Sequence, residues 1–286
     1  MSETVINVWG RAVRNRKMTV GFFLILLPIL FSLAAPLAAN HDPNEQILMS
    51  RLRSPLSAEN DKVHYFGTDG LGRDIYSRVV YGSRVSLIVG ITVVLIGGTI
   101  GVSLGVLAGY FGGAVDSIIM RLIDIFLAFP FLLLALSIMA FLGPGLGKVI
   151  LVLGITSWVP YARIARARVL SLKENEFVEA CNALGATPMR IILKHILPNI
   201  LSSVIVVASF RVATAILGEA TLSFLGLGVG AGTPSWGSML SEGREYLFFA
   251  WWPATLPGLM ILLTVLGINL FGDGLRDIMD PSIVVN

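Results

Sequence analysis

The sequence predicts an all-α polytopic membrane protein with about six transmembrane helices. Of its 286 residues, 55% are hydrophobic and 14% charged, against about 25% charged in a soluble domain; the mean hydropathy is +0.80. The apolar residues also gather into separate runs near the roughly 20 residues that a helix needs to cross a bilayer. No strand-like alternation suggests a membrane barrel instead.

The first run, about Met18 to Ala39, carries no charge and follows a tail, residues 1–17, that holds Arg11, Arg14, Arg16 and Lys17. It exceeds the apolar core of a cleaved signal, about 7–15 residues, so residues 18–39 read as an anchor helix. Residues 40–85 read as an external loop. Near its end Leu71, Ile75 and Val79 recur four apart against Arg73, Asp74, Ser77 and Arg78. That pattern predicts an amphipathic helix, Gly70–Arg84, lying along the membrane surface.

Residues 86–286 form the core domain. In its first span, about Ser86 to Gly109, Gly97, Gly101, Gly105 and Gly109 are spaced four apart. They share one helical face, where a neighbouring backbone can approach closely, and read as helix packing. The next spans, about Ile118 to Leu142 and Leu146 to Ala162, are interrupted by Pro130 and Pro160, where kinks are expected. Arg121 and Asp124, three apart, can pair on one face. The fifth span, about Ile196 to Leu225, contains Arg211 and Glu219; GLGVGAGTPSWGSML, Gly226 to Leu240, reads as an ordered turn region before the sixth, about Trp252 to Gly272.

An arginine in mid-span costs at least about 2.5–3.5 kcal/mol on insertion scales, so Arg211 should avoid lipid. Two roles follow: pairing with an acid of a partner chain, or lining a pathway and attracting an anionic group such as a carboxylate. Glu219, eight residues on, is within roughly a quarter-turn of the same face, so a bridge through a neighbouring helix or water is possible.

Several functions are excluded. The lone Cys181 rules out an internal disulfide. His41, His64 and His195 show no metal-ligand spacing. The only Gly-Lys pair, Gly147-Lys148, lacks the rest of a phosphate-binding loop, and no nucleophile–base grouping is present. The chain therefore reads as non-catalytic, without a cofactor or metal of its own. A net charge of +3 in this setting reports topology rather than nucleic acid. Arg163, Arg166, Arg168, Lys173, Arg190 and Lys194 mark the segment 163–198 as cytoplasmic. The basic tail and an even number of spans then put both termini on that side. The external loop also carries six arginines and lysines, but long loops translocate with less regard to charge.

The segment EFVEACNALGATPMRIILKHILPN, Glu176 to Asn199, is unusual between two spans. Asn175 can cap a helix from Glu176, Phe177, Cys181 and Leu184 form a narrow apolar stripe, and Gly185 can end the helix in a left-handed conformation. Thr187 and Pro188 can start the next helix, with a kink at Pro198. So short a helix is unstable alone. Its stripe must pack either on the protein's own helix ends or in a groove of another cytoplasmic protein.

Glu179-Ala180, Gly185 and Leu197-Pro198 resemble the "EAA" loop of permease subunits of bacterial ABC importers, with Cys181 in place of the second alanine and His195 in place of an isoleucine. FGTDGLGRDIYSRVVYGSRVSL, LSFLGLGV, TPSWGSML and NLFGDGLRDIMDP are similar to motifs of the dipeptide/oligopeptide/nickel subfamily, second-permease type; Ser282 stands where an arginine is usual. The resemblance implies the transmembrane domain of a type I ABC importer. Glu176, Phe177, Glu179, Ala180, Cys181, Leu184 and Gly185 would then form the coupling helix that docks on an ATPase. It implies a second homologous permease, two cytoplasmic ATPase subunits that bind ATP and magnesium, an external binding protein, and a bacterial inner-membrane location. Glu219 matches an acidic position of the family motif; Arg211 matches none. The cargo would be peptides or a related small solute. The alternative is a self-contained secondary transporter, whose inverted repeats with matching broken helices the sequence does not show.

Overall fold

The computed structural model describes residues 15–59, 62–230 and 232–279. The basic tail ahead of Asn15 and the end of NLFGDGLRDIMDP, with Ser282, lie outside these residues. Among them, five helices are long and apolar enough to cross a membrane, or six if a sharply bent pair is one span.

Helix α1, Arg16–Ala38, begins where the Asn15 side chain accepts hydrogen bonds from the Lys17 and Met18 amides. It packs on α11, Trp252–Met279, at glycine distance: a Cβ on Gly21 would lie 2.4 Å from the Phe271 nitrogen. Lys17 Nζ approaches Asp277 Oδ2 at 3.4 Å, so the start of α1 and the end of α11 share one side of the bundle.

Beyond α1, a hairpin of β1, Ser57–Glu59, and β2, Lys62–His64, pairs Ala58 with Val63. Helix α2, Ile75–Phe111, then runs unbroken for 37 residues from its cap Asp74, whose carboxylate accepts from the Ser77 amide. The expected surface helix is thus corrected: Ile75–Arg84 is the first part of α2, and Gly70–Asp74 precede it. The reason lies in its charges. Arg73 and Arg78 meet Glu242 Oε2 at 2.5 and 3.2 Å, and Arg73 meets Asp69 at 2.7 Å. Neutralised in this way, the polar face is buried against protein, as unpaired charges could not be. Ile75 and Val79 pack behind it around Trp236.

The third expected span is two helices, α3, Gly113–Ala128, and α4, Phe131–Leu142, bent by 83° at Phe129–Pro130. Proline bars the preceding residue from helical geometry. Arg121 and Asp124 do not pair with each other; α3 is tied instead by Arg166, whose Nε and Nη2 bind the two oxygens of Asp116 at 2.5 and 2.7 Å. The fourth span is α5, Leu146–Thr156, and α6, Val159–Lys173, with Pro160 in the first turn of α6 and the break at Ser157–Trp158. The four α2 glycines face this pair. A Cβ on Gly101 would lie 2.3 Å from the Trp158 oxygen and one on Gly105 2.4 Å from the Ala162 oxygen.

Helix α7, Glu176–Ala183, and α8, Pro188–Ile191, follow. A π-helical stretch, Ile192–Ile196, leads into α9, Leu197–Phe224, and Pro198, the expected kink, falls in the first turn of α9. The turn region partly folds: Ser235 caps α10, Trp236–Gly243, through a reciprocal bond pattern with Ser238.

Candidate functional site

Helix α7 stands on the same end of the bundle as Lys17 and Asp277: Val178 shares a cluster with Ile196 and Ile200 at the start of α9, and α11 runs back along α9 toward that start, with Gly272 against Ser209. Asn175 occupies the cap position with extended backbone but makes no side-chain cap bond; Glu176 and Glu179 lie in the first turn, where negative charge favours the helix dipole. The end is a Schellman motif: Gly185 has φ +76°, its amide bonds the Asn182 oxygen, and the Ala186 amide bonds the Cys181 oxygen, both at 3.0 Å.

The expected stripe is split. Val178, fully buried, joins a cluster with Val106, Tyr110, Val169 and Ile196, with Cys181 packed against it. Phe177 is 41% and Leu184 88% exposed. The helix is therefore held by Val178 and leaves Phe177 and Leu184 exposed, as Met189 and Leu193 are in the segment that follows. Val178 was missing from the sequence reading; its three-residue spacing to Cys181 was the available signal. His195, one of the two departures from the loop pattern, lies near Phe177, with ring centroids 6.4 Å apart.

A second feature lies among the spans. A cavity of about 250 Å³ is lined by Val93, Phe126, Phe131, Ser157, Arg211 and Thr214, among others. The α3–α4 and α5–α6 breaks both open onto it, as irregular backbone in a membrane requires a protein-lined or wet space. Arg211 is half-buried in its wall and has no ion pair with Glu219. Glu219 does not line the cavity. It is fully buried, accepts a 2.6 Å bond from Ser223 Oγ, and sits near the Ser235 turn. The eight-residue offset, about a quarter-turn, is enough to turn it behind the wall.

At the far end of α2 lie the Asp69–Arg73–Arg78–Glu242 network and a feature invisible in spacing: His41 stacks on His64, ring centroids 4.3 Å apart, and both approach Asp74.

A bundle of five or six spans with broken helices around a central cavity, plus a tethered helix with an outward apolar face, defines the membrane subunit of a transporter. Residues 101–285 match the family described as binding-protein-dependent transport system inner membrane component, and the chain belongs to that family. A dipeptide transport system permease protein, DppC, of Alkalihalophilus pseudofirmus is 44% identical over 283 residues, covering 98% of this chain and 91% of the relative. The probable D,D-dipeptide transport system permease protein DdpC of Escherichia coli is 44% identical over 259 residues, covering 91% and 85%. An inward-facing structure of the MetNI methionine ABC transporter shares the fold, with TM-score 0.58 at 22% identity over 70% of this chain and 96% of that chain. The protein is a multi-pass inner-membrane permease subunit of an ABC importer, and the secondary-transporter alternative falls away.

Proposed function

We propose that this chain pairs with a second homologous permease to enclose a pathway for peptides, driven by two cytoplasmic ATPase subunits. One of them receives α7 in a surface groove; an external binding protein delivers cargo at the opposite end. The observation that carries this reading is α7 itself, anchored through Val178 while Phe177 and Leu184 face outward. ATP and magnesium belong to the partner subunits; this chain binds neither. Both termini lie in the cytoplasm, a reading supported by the Lys17–Asp277 contact and by the basic residues of 163–198. The names of the relatives support peptides as cargo, and Arg211 in the cavity wall suits a peptide carboxylate.

Reconstitution tests the assignment. The chain, its paired permease, both ATPases and the binding protein in proteoliposomes should take up labelled dipeptide only with ATP. Uptake without the ATPases, or in response to an ion gradient alone, would overturn it.

A further inference from the structure

We propose that His41, His64 and Asp74 form a binding site for a divalent transition-metal ion of the zinc class, at the end of the bundle opposite α7. The site is independent of the coupling role. His64 Nδ1 lies 2.8 Å and His41 Nδ1 3.7 Å from the same oxygen of Asp74, and one donor atom from each of the three residues falls within 4.8 Å of the others. Ligands of a tetrahedral zinc at about 2.0–2.1 Å sit roughly 3.3 Å from one another, so the triad brackets that spacing.

The surroundings fit a cation. Asp74 and His64 are buried to 2% exposure, and a buried carboxylate needs compensation. The neighbouring cations, Arg73 and Arg78, are engaged by Asp69 and Glu242. Asp74 is already oriented, because its other oxygen accepts the Ser77 amide at 2.7 Å. The His41 backbone is held too, its amide donating to Ser77 Oγ at 3.2 Å. Such outer contacts fix the direction of metal ligands. Two imidazoles and one carboxylate favour zinc, copper or nickel over magnesium or calcium.

One movement is required. The rings stack at 17°, and an ion held by an imidazole lies in its plane, so two parallel rings cannot share one. The His41 ring, further from Asp74, turns about its Cβ–Cγ bond to admit the metal. The ion then ties the chain after α1, the end of β2 and the cap of α2 into one unit.

The test uses untagged full-length chain in detergent, since it has only three histidines. Equilibrium dialysis against zinc should leave about one ion per chain, and cobalt should give the visible absorption of a tetrahedral site. His41→Gln and His64→Gln should each weaken affinity at least by the roughly ten- to hundred-fold lost when an outer-shell partner alone is removed. His195→Gln should change nothing. His41→Gln leaves the His64–Asp74 bond intact and decides the matter if His64→Gln fails to fold. No zinc retained by the unmutated chain, or binding that survives His41→Gln or depends on His195, overturns the proposal.

Discussion

Gly101→Ala places one methyl group where α2 crosses the break between α5 and α6. The new Cβ would lie 2.3 Å from the Trp158 oxygen, 2.7 Å from Tyr161 Cβ and 3.1 Å from the Ala162 nitrogen. A backbone oxygen cannot swing aside like a side-chain end, so the helices must part by roughly 1 Å. A gap of that size forfeits about a quarter to a half of each dispersion contact along the seam, and overpacking of this kind costs about 1–3 kcal/mol. Gly98, three residues earlier, supplies the control, because a Cβ there meets nothing nearer than the Tyr161 ring at 3.7 Å. Both changes gain the same helix preference of alanine over glycine, about 1 kcal/mol, which cancels in the comparison. Gly101→Ala should therefore be about 1–3 kcal/mol less stable than Gly98→Ala. Thermal or SDS-induced unfolding in detergent, followed by circular dichroism, reads the difference. Equal stability of the two variants would refute the claim that this glycine face sets the α2–α6 distance.

Phe177→Ala or Leu184→Ala should weaken ATPase docking roughly tenfold or more, since burying either side chain is worth about 1.5–3 kcal/mol. Gly185→Val should do worse, because φ +76° is strained for a β-branched residue; pull-down with the ATPase subunit measures all three, and undiminished binding would sink the docking assignment. In a Cys181-free background, Met49→Cys, at an 89% exposed position, should react with an impermeant thiol reagent in intact spheroplasts. Ser171→Cys should react only after the membrane is broken, and the reverse pattern would overturn the topology. Arg211→Gln should raise the KM for carboxylate-bearing peptides about tenfold or more, the worth of a charge-assisted bond, with Arg211→Lys partly restoring uptake. Failure of Arg211→Gln to assemble with the second permease would instead assign Arg211 to an acid of that partner.

The spans were legible because bilayer thickness imposes one length on every apolar run. Ends and faces were less so. Residues 70–84 carry a true amphipathic pattern, but periodicity reports that one face is polar and not what covers it; the cover is Glu242, far along the chain. The position of α7 was readable from Asn175, Gly185 and Pro188, residues with backbone roles of their own. Its orientation was not, because Phe177 and Val178 are both apolar neighbours and only the packed cluster separates them. Arg211 was recognisable by its cost in lipid, yet its cavity is built from the ends of four helices and the middles of α2 and α9, which no local pattern joins. The pairing of His41 with His64 depends on the chain after α1 lying along β2, where Asn40 Nδ2 donates to the Val63 oxygen at 2.7 Å, which spacing along the chain cannot register.

If α7 docks on an ATPase as proposed, the two broken spans supply a route from it to the cavity. Helix α6 has 15 residues, a rigid length of about 22 Å. It runs from the Ser157–Trp158 break, at the cavity, to Lys173, just before α7. Its far end shares the Val178 cluster through Val169, so a push on α7 bears directly on α6. Midway, Arg166 grips Asp116 of α3 with two hydrogen bonds, and α3 ends in turn at the Phe129–Pro130 break, where Phe126 packs edge-on against Trp158 with ring centroids 5.5 Å apart. The glycine face of α2 lets α6 lie against it without interlocking side chains. Two helices, α3 and α6, thus leave the α7 end, cross-linked by one ion pair, and each terminates in non-helical backbone at the cavity that Arg211 also lines. Under that proposal, unbroken helices would carry a displacement of α7 straight through to the far side of the membrane, whereas the breaks would place it at the cavity.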